Sequence, residues 1–276
     1  NMDTFVSMLQ LAMQYHAFGK LTDLQNHRPK AIVTLDGLIG AGKSTFLDDL
    51  QSFFPQRVYV APEPVSEWQP ELEAYYRNEE NSAFTLQKKI VLCLEKRFVK
   101  VLSDPKVKNK IIVFERSPSS CKMFMELSKE RFTEDQLAEI LRIVHANELL
   151  LVSLNYDEIP HFRAYMDGTV ELCMKRIQER ARTGEELIAE TYLYKLQEQQ
   201  FLSFSDRTTV FDFDLQEEES QKNGFAHICD FLTPFIVPSI TEEGQEGRKK
   251  RAAKFLKHVN FIRRLHYLAR QLHRFR

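Results

Sequence analysis

The stretch Gly37-Leu38-Ile39-Gly40-Ala41-Gly42-Lys43-Ser44-Thr45 stands directly behind the apolar run Ala31-Ile32-Val33-Thr34-Leu35. It is a complete G-x-x-x-x-G-K-S-T loop, and each fixed position answers a demand of a nucleoside triphosphate. Gly37, Gly40 and Gly42 let the backbone come close, so that several N–H groups converge on phosphate oxygens. Lys43 brings a compact positive charge toward the β- and γ-phosphates, and the Ser44 hydroxyl, with Thr45 beside it, suits the shell of Mg²⁺. A helix beginning near Ala41 aims its positive end at the same anion. The loop implies a bound nucleotide and leaves the use of its phosphate open.

Three further groups follow it. Glu63 lies between Pro62 and Pro64 at the end of an apolar run, where a carboxylate can take a proton from an attacking hydroxyl and the prolines restrict its backbone. The run Ile111-Ile112-Val113-Phe114 closes on Glu115-Arg116, an acid placed to hold Mg²⁺ or its waters beside a base placed to meet phosphate or Glu63. Arg176 and Arg180 share a helix face, and Arg182 precedes the helix-breaking Thr183-Gly184, a pattern that suits a lid over transferring phosphates. Each group also has an ordinary reading, as a solvated loop acid, a surface ion pair and a charged helix face.

The elements that must position these residues alternate. Short β-rich runs at Ala31–Asp36, Arg57–Ala61, Lys110–Phe114, Phe162–Met166 and Thr208–Phe213 are separated by helical stretches at Ala41–Phe53, Ala83–Leu102, Glu134–Leu149 and Val170–Ala181. Further helices are expected at Glu190–Phe204 and Gly224–Leu232. That order predicts βα units and a parallel sheet, with functional residues outside the carboxyl ends of its strands. The 276 residues, 43% hydrophobic, suit one large α/β domain with extensions. They divide into a helical leader over 1–29, a catalytic unit over 30–238, and a linker with a basic tail over 239–276. No run is long and apolar enough for a membrane span. Cys93, Cys121, Cys173 and Cys229 are widely spaced, which fits reduced thiols of an intracellular, cytoplasmic protein better than a zinc site.

The phosphate loop, Pro62-Glu63-Pro64-Val65 with Trp68, Phe84-Thr85-Leu86-Gln87, Glu115-Arg116-Ser117 and Arg180-Ala181-Arg182-Thr183-Gly184-Glu185 occur in that order. Together they resemble the deoxyribonucleoside kinases, over roughly residues 30–235. The resemblance implies a P-loop kinase fold, with a central parallel five-stranded sheet flanked by helices and closed by a lid; the basic helical C-terminal extension is particular to this chain. It implies ATP with Mg²⁺ as phosphoryl donor, a deoxynucleoside as acceptor, and a homodimer. Glu63 looks like the general base, Arg116 its partner, and Ser44 and Glu115 the residues that position Mg²⁺. Lys43, Arg176, Arg180 and Arg182 would meet the ATP phosphates. Gln87 would bind the base edge through its amide, Trp68 and Phe84 would pack around the ring, and Tyr76 and Glu185 would contact the sugar 3′-hydroxyl.

In the deoxycytidine and deoxyguanosine kinases an arginine and an aspartate charge the base pocket; here those positions are Leu94 and Cys121. A neutral, roomier pocket is expected to take thymidine and other pyrimidine deoxynucleosides. The chain departs from the family pattern at Thr183-Gly184, usually more polar, and at Asp36, usually glutamate. The other readings are a nucleoside monophosphate kinase, which needs no general base, a guanine-nucleotide switch, which wants an N-K-x-D motif that is missing, and a nucleic-acid-binding protein with a degenerate loop.

The net charge of −1 hides an asymmetry. Residues 247–276 hold eleven Lys or Arg and no acid, leaving 27 basic against 39 acidic side chains, net −12, over residues 1–246. Arg248-Lys249-Lys250-Arg251 precedes Phe255, Val259, Ile262, Leu265, Ala269 and Leu272 at helical spacing, a basic amphipathic pattern. It suits nuclear import or another polyanion contact, an anionic membrane surface, or docking on the acidic body. Reading it as a polyanion contact predicts retention on heparin or DNA that disappears when residues 247–276 are deleted. Retention that survives the deletion places the contact elsewhere.

Overall fold

A computed structural model of the chain describes residues 27–156, 159, 161–203 and 208–212, with side chains only up to 148 within the long helix and none for 208–212. The predicted leader, the helix at Gly224–Leu232, Phe213, Cys229, the linker and the basic tail lie outside the described residues.

The strands are β1 (Ala31–Gly37), β2 (Val58–Ala61), β3 (Ile111–Glu115), β4 (His161–Asp167) and β5 (Thr208–Asp212). Their order across the sheet is β2-β3-β1-β4-β5, and each neighbouring pair is parallel. Every residue of β1 and β3 is buried, as expected where helices cover both faces of a parallel sheet. The chain leaves β1 toward β2 on one side and leaves β3 toward β4 on the other. The connections therefore part beyond the carboxyl ends of β1 and β3, the position at which such sheets bind ligands.

The helices are α1 (Lys43–Phe53), α2 (Gln69–Tyr76), α3 (Ser82–Leu102), α4 (Cys121–Leu127), α5 (Glu134–Tyr156), α6 (Val170–Arg180) and α7 (Glu190–Leu202). Helix α1 begins at Lys43 rather than near Ala41, because Gly42 caps it in the left-handed region at φ 97° and ends the loop conformation there. Helix α5 starts on a reciprocal cap: Thr133 N–H donates to Gln136 Oε1 at 2.9 Å, and Gln136 N–H donates to Thr133 Oγ1 at 3.3 Å. It runs past the expected end at Leu149 to Tyr156. Helices α2 and α4 were not anticipated; they have only 8 and 7 residues, too few for a helical period to stand out.

Helix α3 packs on two sides. Phe98, Val101 and Leu102 join Ile32, Ile112 and Phe114 beneath the sheet, with Phe98 and Phe114 stacked at 4.6 Å. Leu86, Val91 and Leu94 join Trp68, Cys121, Met125, Ile140 and Val144 against α4 and α5. Burying such side chains contributes about 1.5–3 kcal/mol each, so α3 is held chiefly by packing. No helix among the described residues is long and apolar enough to cross a membrane.

Beside the core, the His161 ring hydrogen-bonds Thr34 Oγ1 at 3.0 Å. Burial, then the charge of Arg163, lowers its pKa from 6.5 to about 4, against a smaller raising effect of Asp36. The folded state therefore favours the neutral ring, and this stability is present above pH 6.5 and lost as pH falls toward 4, by up to ~3 kcal/mol. Urea unfolding at pH 7 and pH 4.5 should show a smaller acid loss in His161→Gln than in the natural chain. Equal losses in both would rule out His161 as a source of the acid sensitivity.

Candidate functional site

Beyond the ends of β1, β2 and β3 lies one continuous cleft of about 1200 Å³. Gly40, Gly42, Lys43, Ser44 and Thr45 line one end of it. Gly40 sits at φ 81°, and a Cβ there would lie 2.5 Å from the carbonyl oxygen of Cys173, so the loop takes this path only with glycine. Lys43 is 5% exposed and its Nζ donates to the carbonyls of Leu38 at 2.8 Å and Gly37 at 3.3 Å. Gly37 and Ala41 stand behind the lining, Gly37 accepting from Lys43 and Arg116, and Ala41 accepting from Arg176 Nη1 at 3.0 Å.

Glu115 ends β3 only 4% exposed, and the Ser44 hydroxyl donates to its carboxylate at 3.1 and 3.2 Å. The same carboxylate accepts the backbone N–H of Glu63 at 3.2 Å. Arg116 Nη1 donates to Glu63 Oε1 at 3.2 Å, and both side chains are nearly buried. Its guanidinium lies 4.8 Å from the Phe124 ring centroid. Burial alone would lower the pKa of Arg116, but Glu63, Glu115 and Asp36 together hold it above its ordinary value. Arg116 has φ 60°, a conformation that costs about 1–3 kcal/mol in a residue with a Cβ.

The other end of the cleft is apolar. Trp68, Leu86, Leu94 and Cys121 line it and are each 2% exposed or less. Gln87 joins them at 4% exposure, and its Oε1 is buried without a hydrogen-bond partner. Burial, then the negative charge of Glu63, pushes the Cys121 thiol up to about 12, so it stays neutral. Phe84 is not brought into this lining: one turn before Gln87, its ring packs by the α3–α5 cluster with Lys88 Nζ at 5.3 Å. Phe124, from the unanticipated α4, lines the cleft.

A lid-like segment closes the side. Glu185, 3% exposed, accepts from Arg180 Nε at 2.7 Å and Nη2 at 2.6 Å, and from Arg182 Nη1 at 3.3 Å. Glu186 is exposed. A Cβ on Gly184 would lie 3.1 Å from the Tyr76 ring, so this turn rests on α2. Burial, then Glu185, raises the Tyr76 phenol well above its ordinary value.

The family model described as "Deoxynucleoside kinase" matches residues 33–236. The chain belongs to the deoxynucleoside kinase family. It is also similar to "Putative kinase protein 029R" of Invertebrate iridescent virus 3, at 26% identity over 185 residues, 66% of this chain and 87% of that protein. The α/β fold of this kinase, a parallel sheet flanked by helices behind a phosphate loop, is the class expected from its sequence.

Sequence reasoning placed the phosphate loop, Glu63, Glu115, Arg116, Gln87, Trp68, Tyr76, Leu94, Cys121, the three arginines and Glu185 around one site, and all of them except Gly37, Leu38 and Ala41 line the one cleft. It missed Phe124 and Tyr192. Tyr192 lines the cleft and shares a hydrogen bond with Tyr75.

Burial, then the charge of Arg116, lowers the Lys43 ammonium from 10.5 to about 8, although Glu115, Glu63 and Asp36 oppose the shift. A triphosphate brought against Nζ favours the charged form, so binding should take up a proton above pH 8. Affinity for ATP should accordingly fall as pH rises from 7.5 to 9 by up to about tenfold. Titration calorimetry in buffers of different ionisation enthalpy measures that proton; no uptake at pH 8.5 would contradict the assignment.

Proposed function

We propose that this kinase transfers the γ-phosphoryl group of ATP to the 5′-hydroxyl of a deoxyribonucleoside, with thymidine and related pyrimidine deoxynucleosides as acceptors. One observation carries the reading: a single cleft joins the phosphate loop to an apolar pocket containing a buried, unpartnered amide oxygen, with Glu63–Arg116 in the same cleft. A buried acceptor without a partner costs about 1–3 kcal/mol, which a base edge supplying a donor would recover. An amide offers one donor and one acceptor side, as does the N3/O4 edge of a thymine ring.

In this reading the 5′-oxygen attacks the γ-phosphorus, the bond to the bridging oxygen breaks, ADP leaves, and the hydroxyl proton passes to Glu63. Arg116 orients that carboxylate. Lys43, Arg176, Arg180 and Arg182 neutralise the charge spread over the phosphoryl oxygens. Tyr76 and Glu185 contact the sugar 3′-hydroxyl. Trp68 and Phe124 bound the base, the latter in place of Phe84.

The paired Ser44 hydroxyl and Glu115 carboxylate fit a hard cation, and no cluster of three or more His, Cys, Asp or Glu able to hold a metal occurs among the described residues. Ser44 and Glu115 would hold Mg²⁺ carried in with the nucleotide, one carboxylate and one hydroxyl being a donor set of the kind that ion takes. When bound, the ion supplies charge neutralisation at the β- and γ-phosphates.

Leu94 and Cys121 make the pocket wall neutral, which supports pyrimidine over guanine acceptors. A monophosphate acceptor is less compatible, since its charge would meet Glu63. The same reading places the catalytic unit at residues 30–238, allows a homodimer, and leaves the basic tail to polyanion or import contacts.

Incubation with labelled ATP, Mg²⁺ and each deoxynucleoside in turn should label thymidine faster than deoxyguanosine. Glu63→Gln should lower kcat by about 10²–10⁴-fold while ATP affinity stays within about twofold. Full activity in that variant removes Glu63 as the base, and faster labelling of deoxyguanosine overturns the pyrimidine assignment.

A further inference from the structure

The buried face of α3 carries Ala83, Leu86, Val91, Leu94, Phe98 and Val101. Two polar residues interrupt that stripe: Gln87, in the cleft, and Arg97, three residues beyond Leu94. Arg97 is outside the cleft lining. Its guanidinium instead donates to four backbone carbonyls. Nη1 reaches Ala61 at 3.1 Å and Pro62 at 2.6 Å, and Nη2 reaches Glu115 at 2.9 Å and Arg116 at 2.7 Å. The group also lies 5.5 Å from the Phe114 ring centroid. Burial lowers its pKa to about 10, against the raising effects of Glu63, Glu115 and Glu67, so it remains charged at neutral pH.

The four acceptors belong to two chain segments. Ala61 and Pro62 lead directly into Glu63 at the end of β2. Glu115 and Arg116 end β3, and Arg116 is held at φ 60°. A planar fork can bridge two segments in this way, with one nitrogen for each, whereas a lysine offers a single point charge. The bridge spans the two segments that carry the Glu63–Arg116 pair, and it is anchored on the helix that carries Gln87.

We propose that Arg97 is a positioning residue for phosphoryl transfer: it ties the ends of β2 and β3 together and so fixes the Glu63 carboxylate against Arg116. The inference rests on the reading of Glu63 as the proton acceptor. Arg97 touches neither substrate, and its effect runs through the placement of Glu63. A displacement of about 1 Å at such a group costs on the order of 10²-fold in rate.

The test is a cycle of Arg97→Met, Glu63→Gln and the double variant, with Arg97→Lys alongside. Arg97→Met should lower kcat by about 10²-fold, with ATP affinity, measured by direct binding, within about twofold of the natural chain. In the Glu63→Gln background it should lower kcat no further, because the carboxylate it places is already gone. Arg97→Lys, which keeps the charge but not the fork, should lose about tenfold. Should Arg97→Met fail to fold, Arg97→Lys decides, and an unchanged kcat there overturns the proposal. Losses that multiply in the double variant, or a loss confined to ATP affinity, overturn it as well. Should Glu63→Gln itself keep full activity, the reading of Glu63 fails; should Glu63→Gln be inactive while Arg97→Met keeps its kcat, the Arg97 proposal alone fails.

Discussion

Strand β1 meets β3 with Leu35 opposite Glu115, and the geometry of the cleft follows from that register. Side chains alternate faces along a strand, so a slip of one residue would turn Glu115 away from the Ser44 hydroxyl. The same alignment brings the phosphate loop, which leaves β1, beside Arg116, which leaves β3. Strand β2 adds Glu63 from the other side, with Ala61 opposite Phe114. Three strand ends thus deliver a lysine, two carboxylates and an arginine to one region, although they are far apart in sequence.

Such a gathering of charge is stable only because the groups meet in complementary pairs. Glu115 accepts from Ser44 and from the Glu63 amide. Asp36, 1% exposed, accepts from Ser120 at 2.6 Å and Arg163 at 2.8 Å, which joins β1 to the start of α4 and to β4. Removing one partner from a buried pair costs about 3–5 kcal/mol, because it strands the other charge. The site and the fold are therefore coupled, and the polar network under the phosphate loop serves both.

Much of this was legible in the sequence, for identifiable reasons. The strands are short apolar runs bounded by turn residues, and the predicted spans for β1 and β4 fall within one residue of each observed end. The phosphate loop announces itself because its chemistry tolerates few residue types. Phe84 shows the limit of motif reading: a position one turn from Gln87 did not settle which way the ring packs. Phe124 was hidden because α4 is too short to show a period. Arg97 did leave a signal, a charged residue on the apolar stripe of α3, but its partners are carbonyls, and carbonyls carry no sequence signature.

Helix α3 has Gln87 near one end and Arg97 ten residues on, about 15 Å along its axis at 1.5 Å per residue. One end faces the apolar half of the cleft and the other grips the strand ends. Leu94 lies between them on the same face, so a change of letter there alters the pocket wall without moving either end. A change of length is different: one inserted residue would rotate the two ends by about 100° against each other. The helix is thus open to substitution at Leu94 and closed to insertion between Gln87 and Arg97.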